Sequence, residues 1–119
     1  MPFVKRAGVS MTTNVGGFWE FLPASYNGTT QYPCIIFFHG QGDQGSGSSS
    51  DLDLLNNGGV SGVIFQQGFP YEAVVLCPQY TGGYPPGSLI QGVINYAKAN
   101  YSLNNKIYLT GYSLGGAIV

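Results

Sequence analysis

Charged residues are scarce in this chain. Of its 119 residues, four are Lys or Arg and five are Asp or Glu, 8% in total, against roughly 25% in a typical domain. The formal net charge is −1, and no basic run occurs. Nucleic acids and anionic membrane surfaces bind clustered positive charge, so we expect neither as a partner. The polar surface must be built from uncharged side chains, a composition that favours a secreted or periplasmic protein.

Long apolar runs, a recognisable secretion signal and metal-ligand clusters are not found in the sequence either. The longest apolar runs are short, as in CIIFF and AVVLC, whereas a membrane helix needs about 20 residues. The start, MPFVKRAGVSMTTN, is basic but has no apolar stretch after the basic residues, so it predicts no signal peptide. Cys34 and Cys77 lack a metal-ligand spacing, and we expect small core residues. His39, the one histidine, lacks partners for a metal site.

Three short apolar runs predict the buried strands of a parallel sheet. They lie at 34–40 (CIIFFHG), 73–79 (AVVLCPQ) and 106–111 (KIYLTG). Continuous apolar runs without alternation are typical of strands that are covered on both faces. The alternating segment 16–23 (GGFWEFLP) predicts a further strand, and Asn27-Gly28 after it predicts a turn.

Helical patterns lie between these strands. Ser88, with Gln91 three residues later, predicts a capping box, and apolar residues then recur at helical spacing: Ile90, Val93, Ile94, Ala97 and Tyr101. The segment 51–67 predicts two short helical turns separated by glycines, and the low-complexity stretch 40–50 predicts a flexible loop. Strands that alternate with helices indicate an α/β fold, in which sites form at the carboxyl ends of the strands.

One strand end carries a candidate nucleophile. The strand 106–111 leads into GYSLGG, where Gly111 and Gly115 flank Ser113. Gly-x-Ser-x-Gly between a strand and a helix is typical of a sharp turn that exposes a serine hydroxyl, with glycines where a side chain would collide. The helix start offers free N–H groups to a developing oxyanion. The alternative is a glycine-rich connection with an incidental serine, because glycine is abundant here, with 19 residues.

The loop after strand 34–40 is a candidate for the second part of an oxyanion site. In FFHGQG, the pair His39-Gly40 permits a sharp turn, so that the backbone N–H of Gln41 can face the site together with that of Leu114. For His39 we favour support of this turn by hydrogen bonding over direct proton transfer.

The same loop contains a dinucleotide-binding pattern. Gly40, Gly42 and Gly45 spell Gly-x-Gly-x-x-Gly directly after a strand. No helical pattern opens at the third glycine, and the next strand ends in CPQ, where an acidic residue should bind the ribose. No Lys follows the glycines, which argues against a phosphate-binding P-loop. We therefore expect no cofactor and no metal.

Taken together, FFHGQGDQG, VVLCPQ and KIYLTGYSLGG resemble the α/β-hydrolase family, most of all its esterase and prolyl-oligopeptidase-like branch. The resemblance extends over residues 16–119 and leaves residues 1–15 as an N-terminal extension. It implies a mostly parallel, eight-stranded sheet with flanking helices, of which this chain matches the first half. In the strand order that it implies, strand 34–40 lies between the other two. Cys34 and Cys77 are then about 10 to 13 Å apart, too far for a disulfide.

The resemblance also implies roles for individual residues. Ser113 is the expected nucleophile, and the N–H groups of Gln41 and Leu114 form the expected oxyanion hole. Four further residues are expected to support the site: His39, Gly40, Gly111 and Gly115. The family's catalytic acid and histidine follow the serine in the chain, but only six residues follow Ser113 here.

The acidic residues do not replace this missing pair. We expect Asp43, Asp51 and Asp53 to be solvated loop residues, and Glu20 and Glu72 to be surface groups at strand ends. The sequence therefore predicts the amino-terminal part of a serine hydrolase, poorly stable alone, whose full-length form cleaves esters of small molecules or polysaccharides through an acyl-enzyme. The alternatives are a prolyl-oligopeptidase-like peptidase and, in another class, a non-catalytic remnant that binds a ligand or partner.

Overall fold

Within the described part of the chain, five strands form one mixed sheet. The computed structural model describes residues 3–83 and 85–119. The strands are β1 (Phe3–Thr12), β2 (Val15–Phe21), β3 (Tyr32–Phe38), β4 (Val74–Tyr80) and β5 (Leu103–Gly111). Their order across the sheet is β1-β2-β4-β3-β5. The three strands predicted from apolar runs, β4, β3 and β5, are parallel to one another, whereas β1 and β2 add two antiparallel pairings.

In residues 3–83 and 85–119, four α-helices connect or follow these strands. They are α1 (Ser49–Leu52), α2 (Gly59–Gln67), α3 (Gly87–Asn100) and α4 (Leu114–Ile118). Two 3₁₀ helices, Gln41–Asp43 and Asp53–Asn57, lie between β3 and α2. Among the residues that the structure describes, no helix has the length and apolar character needed to cross a membrane.

β1 lies within the segment predicted to be an N-terminal extension. It pairs with β2 as an edge strand. Lys5 of β1 pairs with Asp53 at 2.7 Å and donates to the backbone oxygen of Ser49 at 2.9 Å. Most residues of β1 are exposed, so its sequence lacks the continuous apolar run by which β3, β4 and β5 were predicted.

The predicted strand order and the predicted free thiols are confirmed. β3 lies between β4 and β5. Cys34 pairs in register with Val74, three positions before Cys77 in a parallel neighbour, and both cysteines are free and buried. Burial raises the pKa of the Cys34 thiol to about 12 and also raises that of Cys77.

The predicted capping box of α3 is wrong. The N-cap is Pro86, in an extended conformation, and its own side chain makes no capping hydrogen bond. Because α3 begins at Gly87, Ser88 already lies in its first turn. The Gln91 amide donates instead to Asn95 within the helix, at 2.9 Å. The apolar face is nevertheless real, since the buried residues of α3 recur every four positions: Leu89, Val93 and Ala97.

The assignment of Glu20 to a strand-end surface position is also wrong. Glu20 lies inside β2 and is only 5% exposed. Its carboxylate accepts hydrogen bonds from Arg6 at 2.8 Å and from the Tyr101 hydroxyl at 2.5 Å. A buried carboxylate needs such partners to offset its lost hydration. Burial and this hydrogen bond together raise the pKa of Tyr101.

Candidate active site

Ser113 occupies a strained turn between β5 and α4. Its backbone has φ 55° and ψ −116°, a region that a side chain makes unfavourable by about 1 to 3 kcal/mol. Backbone hydrogen bonds hold both sides of the turn, from Tyr112 N–H to the Phe38 oxygen at 3.1 Å and from Gly115 N–H to the Tyr112 oxygen at 3.0 Å. The side chain of Ser113 is exposed. The turn therefore presents a hydroxyl to solvent at the carboxyl end of the sheet.

Gly111 and Gly115 lie where backbone segments approach each other closely. A Cβ on Gly115 would lie 1.9 Å from the carbonyl oxygen of Phe38, and one on Gly111 would lie 2.3 Å from the carbonyl carbon of Gly115. Neither neighbour is a flexible side chain that can move aside. The two glycines thus allow the start of α4 to approach the ends of β3 and β5.

The loop after β3 contacts this turn directly. A Cβ on Gly40 would lie 3.5 Å from the Cβ of Ser113 and 3.3 Å from the ring of Tyr112. Gln41 begins the 3₁₀ helix immediately after this contact. The structure thus brings Gly40 and Ser113 close together. Gln41 directly follows Gly40 in the chain, and Leu114 directly follows Ser113. The backbone N–H groups of Gln41 and Leu114 donate to no acceptor within the described ranges 3–83 and 85–119.

His39 is fully buried, and both of its ring nitrogens are engaged. Nδ1 lies 2.7 Å from the carbonyl oxygen of Gly40, to which it donates, and Nε2 accepts from the backbone N–H of Tyr80 at 3.1 Å. Burial lowers its pKa, which favours the neutral ring that this pattern requires. His39 therefore supports the turn, and it has no free nitrogen with which to accept a proton from Ser113.

Sequence reasoning missed Gln79. This residue lies at the end of the apolar strand β4, and its side chain is fully buried. Its amide oxygen accepts from Gly47 N–H at 3.0 Å, and its amide nitrogen donates to the backbone oxygens of Asp43 at 2.9 Å and Asp51 at 2.7 Å. The stretch predicted to be a flexible loop is therefore anchored to the sheet. A polar residue at the end of an otherwise apolar strand was the available signal.

The acidic residues of the loop do not contact the serine. Asp51 accepts hydrogen bonds from the N–H and hydroxyl of Ser46, which lower the pKa of the Asp51 carboxyl. Asp53 pairs with Lys5. The hydroxyl of Ser113 has no hydrogen-bond partner in the part of the chain that the structure describes.

A cavity of about 310 Å³ opens beside the turn. Gly59 forms part of it with φ 67°, and a Cβ at that position would lie 2.5 Å from the ring of Phe37. The residues that line the cavity are Phe37, Asp43, Asn57, Gly58, Gly59 and Tyr112. It therefore combines aromatic surface with a carboxylate and an amide.

Solved structures of esterases share this architecture. A thermostable esterase aligns with a TM-score of 0.71 and 23% identity, covering 98% of this chain and 36% of its own. This chain adopts part of the α/β-hydrolase fold. An esterase from the planctomycete Thermogutta terrifontis aligns with a TM-score of 0.66 and 18% identity, over 98% of this chain and 42% of that one. A ferulic acid esterase from the anaerobic fungus Anaeromyces mucronatus aligns with a TM-score of 0.53 and 17% identity. The alignment covers 95% of this chain and 49% of that one.

These three esterases are thus about twice as long as this chain or longer. At this level of sequence identity, the structural similarity shows the fold but not the activity. Searches against protein-family models and against curated protein sequences find no match.

Proposed function

We propose that this chain carries the nucleophile and oxyanion donors of a serine esterase. One observation carries the proposal: Ser113, which is not a glycine, has φ 55° between β5 and α4 and lies beside the turn at Gly40. Strain of this kind persists only where the surrounding structure imposes it, and it concentrates at functional sites. A strand, a strained serine and a helix in this order form the nucleophile turn of acyl-transfer enzymes.

In the proposed reaction, the Ser113 oxygen attacks the ester carbonyl carbon as a base takes the hydroxyl proton. The carbonyl oxygen becomes negatively charged, and the N–H groups of Gln41 and Leu114 stabilise it. Collapse of this intermediate breaks the bond to the alcohol, which leaves with the proton from the base. Water then attacks the acyl-enzyme by the same route and releases the acid.

No free histidine is available in the described residues to act as the base that the reaction needs. His39 is the one histidine in the sequence, and its two ring nitrogens already have partners. A serine hydroxyl without a base is a weak nucleophile. Activity is therefore a property that we assign to the natural polypeptide, meaning these 119 residues with any that precede or follow them in the gene product.

An ester substrate is favoured over a peptide because the structural neighbours are named as esterases, one of them in a complex with ferulic acid. The cavity beside Ser113 is at the lower end of the volumes of ligand pockets. We propose that it receives one side of a small ester, free or linked to a polysaccharide. The peptidase alternative predicts measurable cleavage of a peptide amide, which a serine esterase would leave intact.

Labelling with a fluorophosphonate, which reacts with activated serines, tests the proposal. In the natural polypeptide we expect labelling and hydrolysis of 4-nitrophenyl acetate, both lost in Ser113→Ala. The matched control is Ser10→Ala on the exposed face of β1, which should keep both. Undiminished labelling of Ser113→Ala would contradict the proposal.

A non-catalytic binding role is the second candidate. The observation that favours it is the engagement of both nitrogens of His39, the sole histidine, which leaves Ser113 without a base in these residues. Under this alternative the natural polypeptide is neither labelled nor active, although it is folded.

A further inference from the structure

We propose that Gln79 and Tyr80, the last two residues of β4, position the oxyanion loop for the reaction at Ser113. The oxyanion loop is defined here as residues 39–47, and Gln79 with Tyr80 is called the β4 clamp. The inference rests on the proposed esterase function, and it assigns the two residues a positioning role. Neither residue contacts the reacting atoms.

Gln79 holds the far end of the oxyanion loop. Both hydrogens of its amide nitrogen are used, one for the Asp43 oxygen at 2.9 Å and one for the Asp51 oxygen at 2.7 Å, while its amide oxygen accepts from Gly47 N–H at 3.0 Å. Because the side chain is fully buried, water cannot replace a lost partner, and each contact matters more than it would on the surface.

Tyr80 holds the near end of the loop. Its backbone N–H donates to Nε2 of His39, its hydroxyl donates to the backbone oxygen of His39 at 2.6 Å, and the two rings stack with centroids 4.0 Å apart. Its carbonyl oxygen accepts from Gly45 N–H at 3.3 Å. The β4 clamp therefore makes hydrogen bonds to the loop on both sides of Gln41, at His39 and at Asp43.

The glycines of the loop fit this clamp. A Cβ on Gly45 would lie 2.7 Å from the amide nitrogen of Gln79, and one on Gly47 would lie 2.1 Å from the backbone of Gly16 in β2. Gly47 also has φ 80°, where a side chain is strained. The loop can thus lie against β2 and β4 only because these two positions lack side chains.

The consequence for chemistry follows from where Gln41 lies. Its N–H is two residues from His39 and two from Asp43, so its position is set by the clamp rather than by contacts of its own side chain. A displacement of about 1 Å in a catalytic group can cost about 100-fold in rate, and loss of one oxyanion donor costs about 100- to 1,000-fold. We therefore expect damage to the clamp to appear in kcat.

The test is Gln79→Glu in the natural polypeptide. The new carboxylate has nearly the shape of the amide. It places an acceptor oxygen against the backbone oxygens of Asp43 and Asp51, to which the amide nitrogen donates in the wild type. We expect kcat for 4-nitrophenyl acetate to fall about 30- to 100-fold with KM changed less than about threefold. A boronic acid, which forms a tetrahedral adduct with an active serine, should lose affinity to a similar extent. Gln66→Glu, the same change on the exposed side of α2, should alter neither.

Folding is checked by circular dichroism and thermal melting of each variant. If Gln79→Glu does not fold, Tyr80→Phe decides, because it removes one hydrogen bond and keeps the stacked ring; the expected loss in kcat is about three- to tenfold. A folded Gln79→Glu, or failing that a folded Tyr80→Phe, with the kcat and boronate affinity of the wild type overturns the inference. That result leaves the proposed function intact, whereas full activity of Ser113→Ala overturns the function itself.

Discussion

The two strands that flank β3 differ sharply in their surroundings. Every residue of β4 is buried, whereas every residue of β5 is at least partly exposed. β4 ends in two polar residues whose groups are satisfied inside the fold, Gln79 and Tyr80. β5 leads into a strained, exposed residue, Ser113. One strand thus anchors a loop, and the other leads into the residue that we propose as the nucleophile.

This difference separates stability from function along the sheet. Substitutions around β4 and at backbone contacts should lower the free energy of unfolding, because buried groups have no alternative partners. Substitutions at the exposed end of β5 should affect chemistry more than folding. Variants in β4, in β5 and at their backbone contacts test this difference.

The contact between the start of α4 and the end of β3 should be the point least tolerant of substitution. Gly115→Ala would place a methyl group 1.9 Å from the Phe38 oxygen, so one backbone segment must move. We expect the free energy of unfolding to fall by about 3 kcal/mol or more, as measured by urea denaturation. Gly42→Ala is the control, since a Cβ added there would have no atom within 4 Å, and equal losses for both variants would contradict the close approach.

Val75 and Tyr108 provide a direct comparison of the two strands, because both pair in register with Ile35. Val75 is 0% exposed and Tyr108 is 53% exposed. Val75→Ala should lower the free energy of unfolding by about 2 kcal/mol, and Tyr108→Ala by less than about 1 kcal/mol. The contrast between β4 and β5 fails if the tyrosine variant is the less stable of the two.

The buried thiols should make stability depend on pH. Burial holds the pKa of Cys34 at about 12, compared with about 8.5 in an unfolded chain. Between these values the folded state keeps the proton that the unfolded chain has lost, so stability falls as the pH rises. Denaturation at pH 8, 9 and 10 should show this slope, and Cys34→Ala should reduce it. An unchanged slope in the variant would assign the effect to other groups.

Thiol accessibility gives an independent reading of the same burial. We expect neither Cys34 nor Cys77 to react with a thiol reagent at pH 8 in the native protein, and both to react after denaturation without a reductant. Rapid labelling of the native protein would show that the region around β4 opens readily.

The parts of the fold that local patterns encode were predictable. Apolar runs identified β3, β4 and β5, and the spacing of two glycines around Ser113 identified the turn. β5 differs from the covered strand that its pattern predicts, because each of its residues is at least partly exposed. The resemblance to a known family supplied the order of the three strands, which no local pattern contains.

The parts that depend on distant contacts were not predictable. The partners of Gln79 lie 28 to 36 residues away in the chain, and those of Glu20 include Tyr101, 81 residues away. β1 is stabilised by pairing with β2 rather than by an apolar run. The predicted cap on α3 failed because the helix begins two residues earlier than the sequence motif requires.

The strained backbone of Ser113 is the central claim, and comparing Ser113→Gly with Ser113→Ala tests it most directly. Both variants lack the hydroxyl, but glycine alone accepts φ 55° and ψ −116° without strain. In urea denaturation of the natural polypeptide, we predict that Ser113→Gly is more stable than Ser113→Ala by about 1 kcal/mol or more, and that both are inactive. Glycine is ordinarily the less stable choice by about 0.5 to 1 kcal/mol, so equal stability or an advantage for alanine would contradict the account.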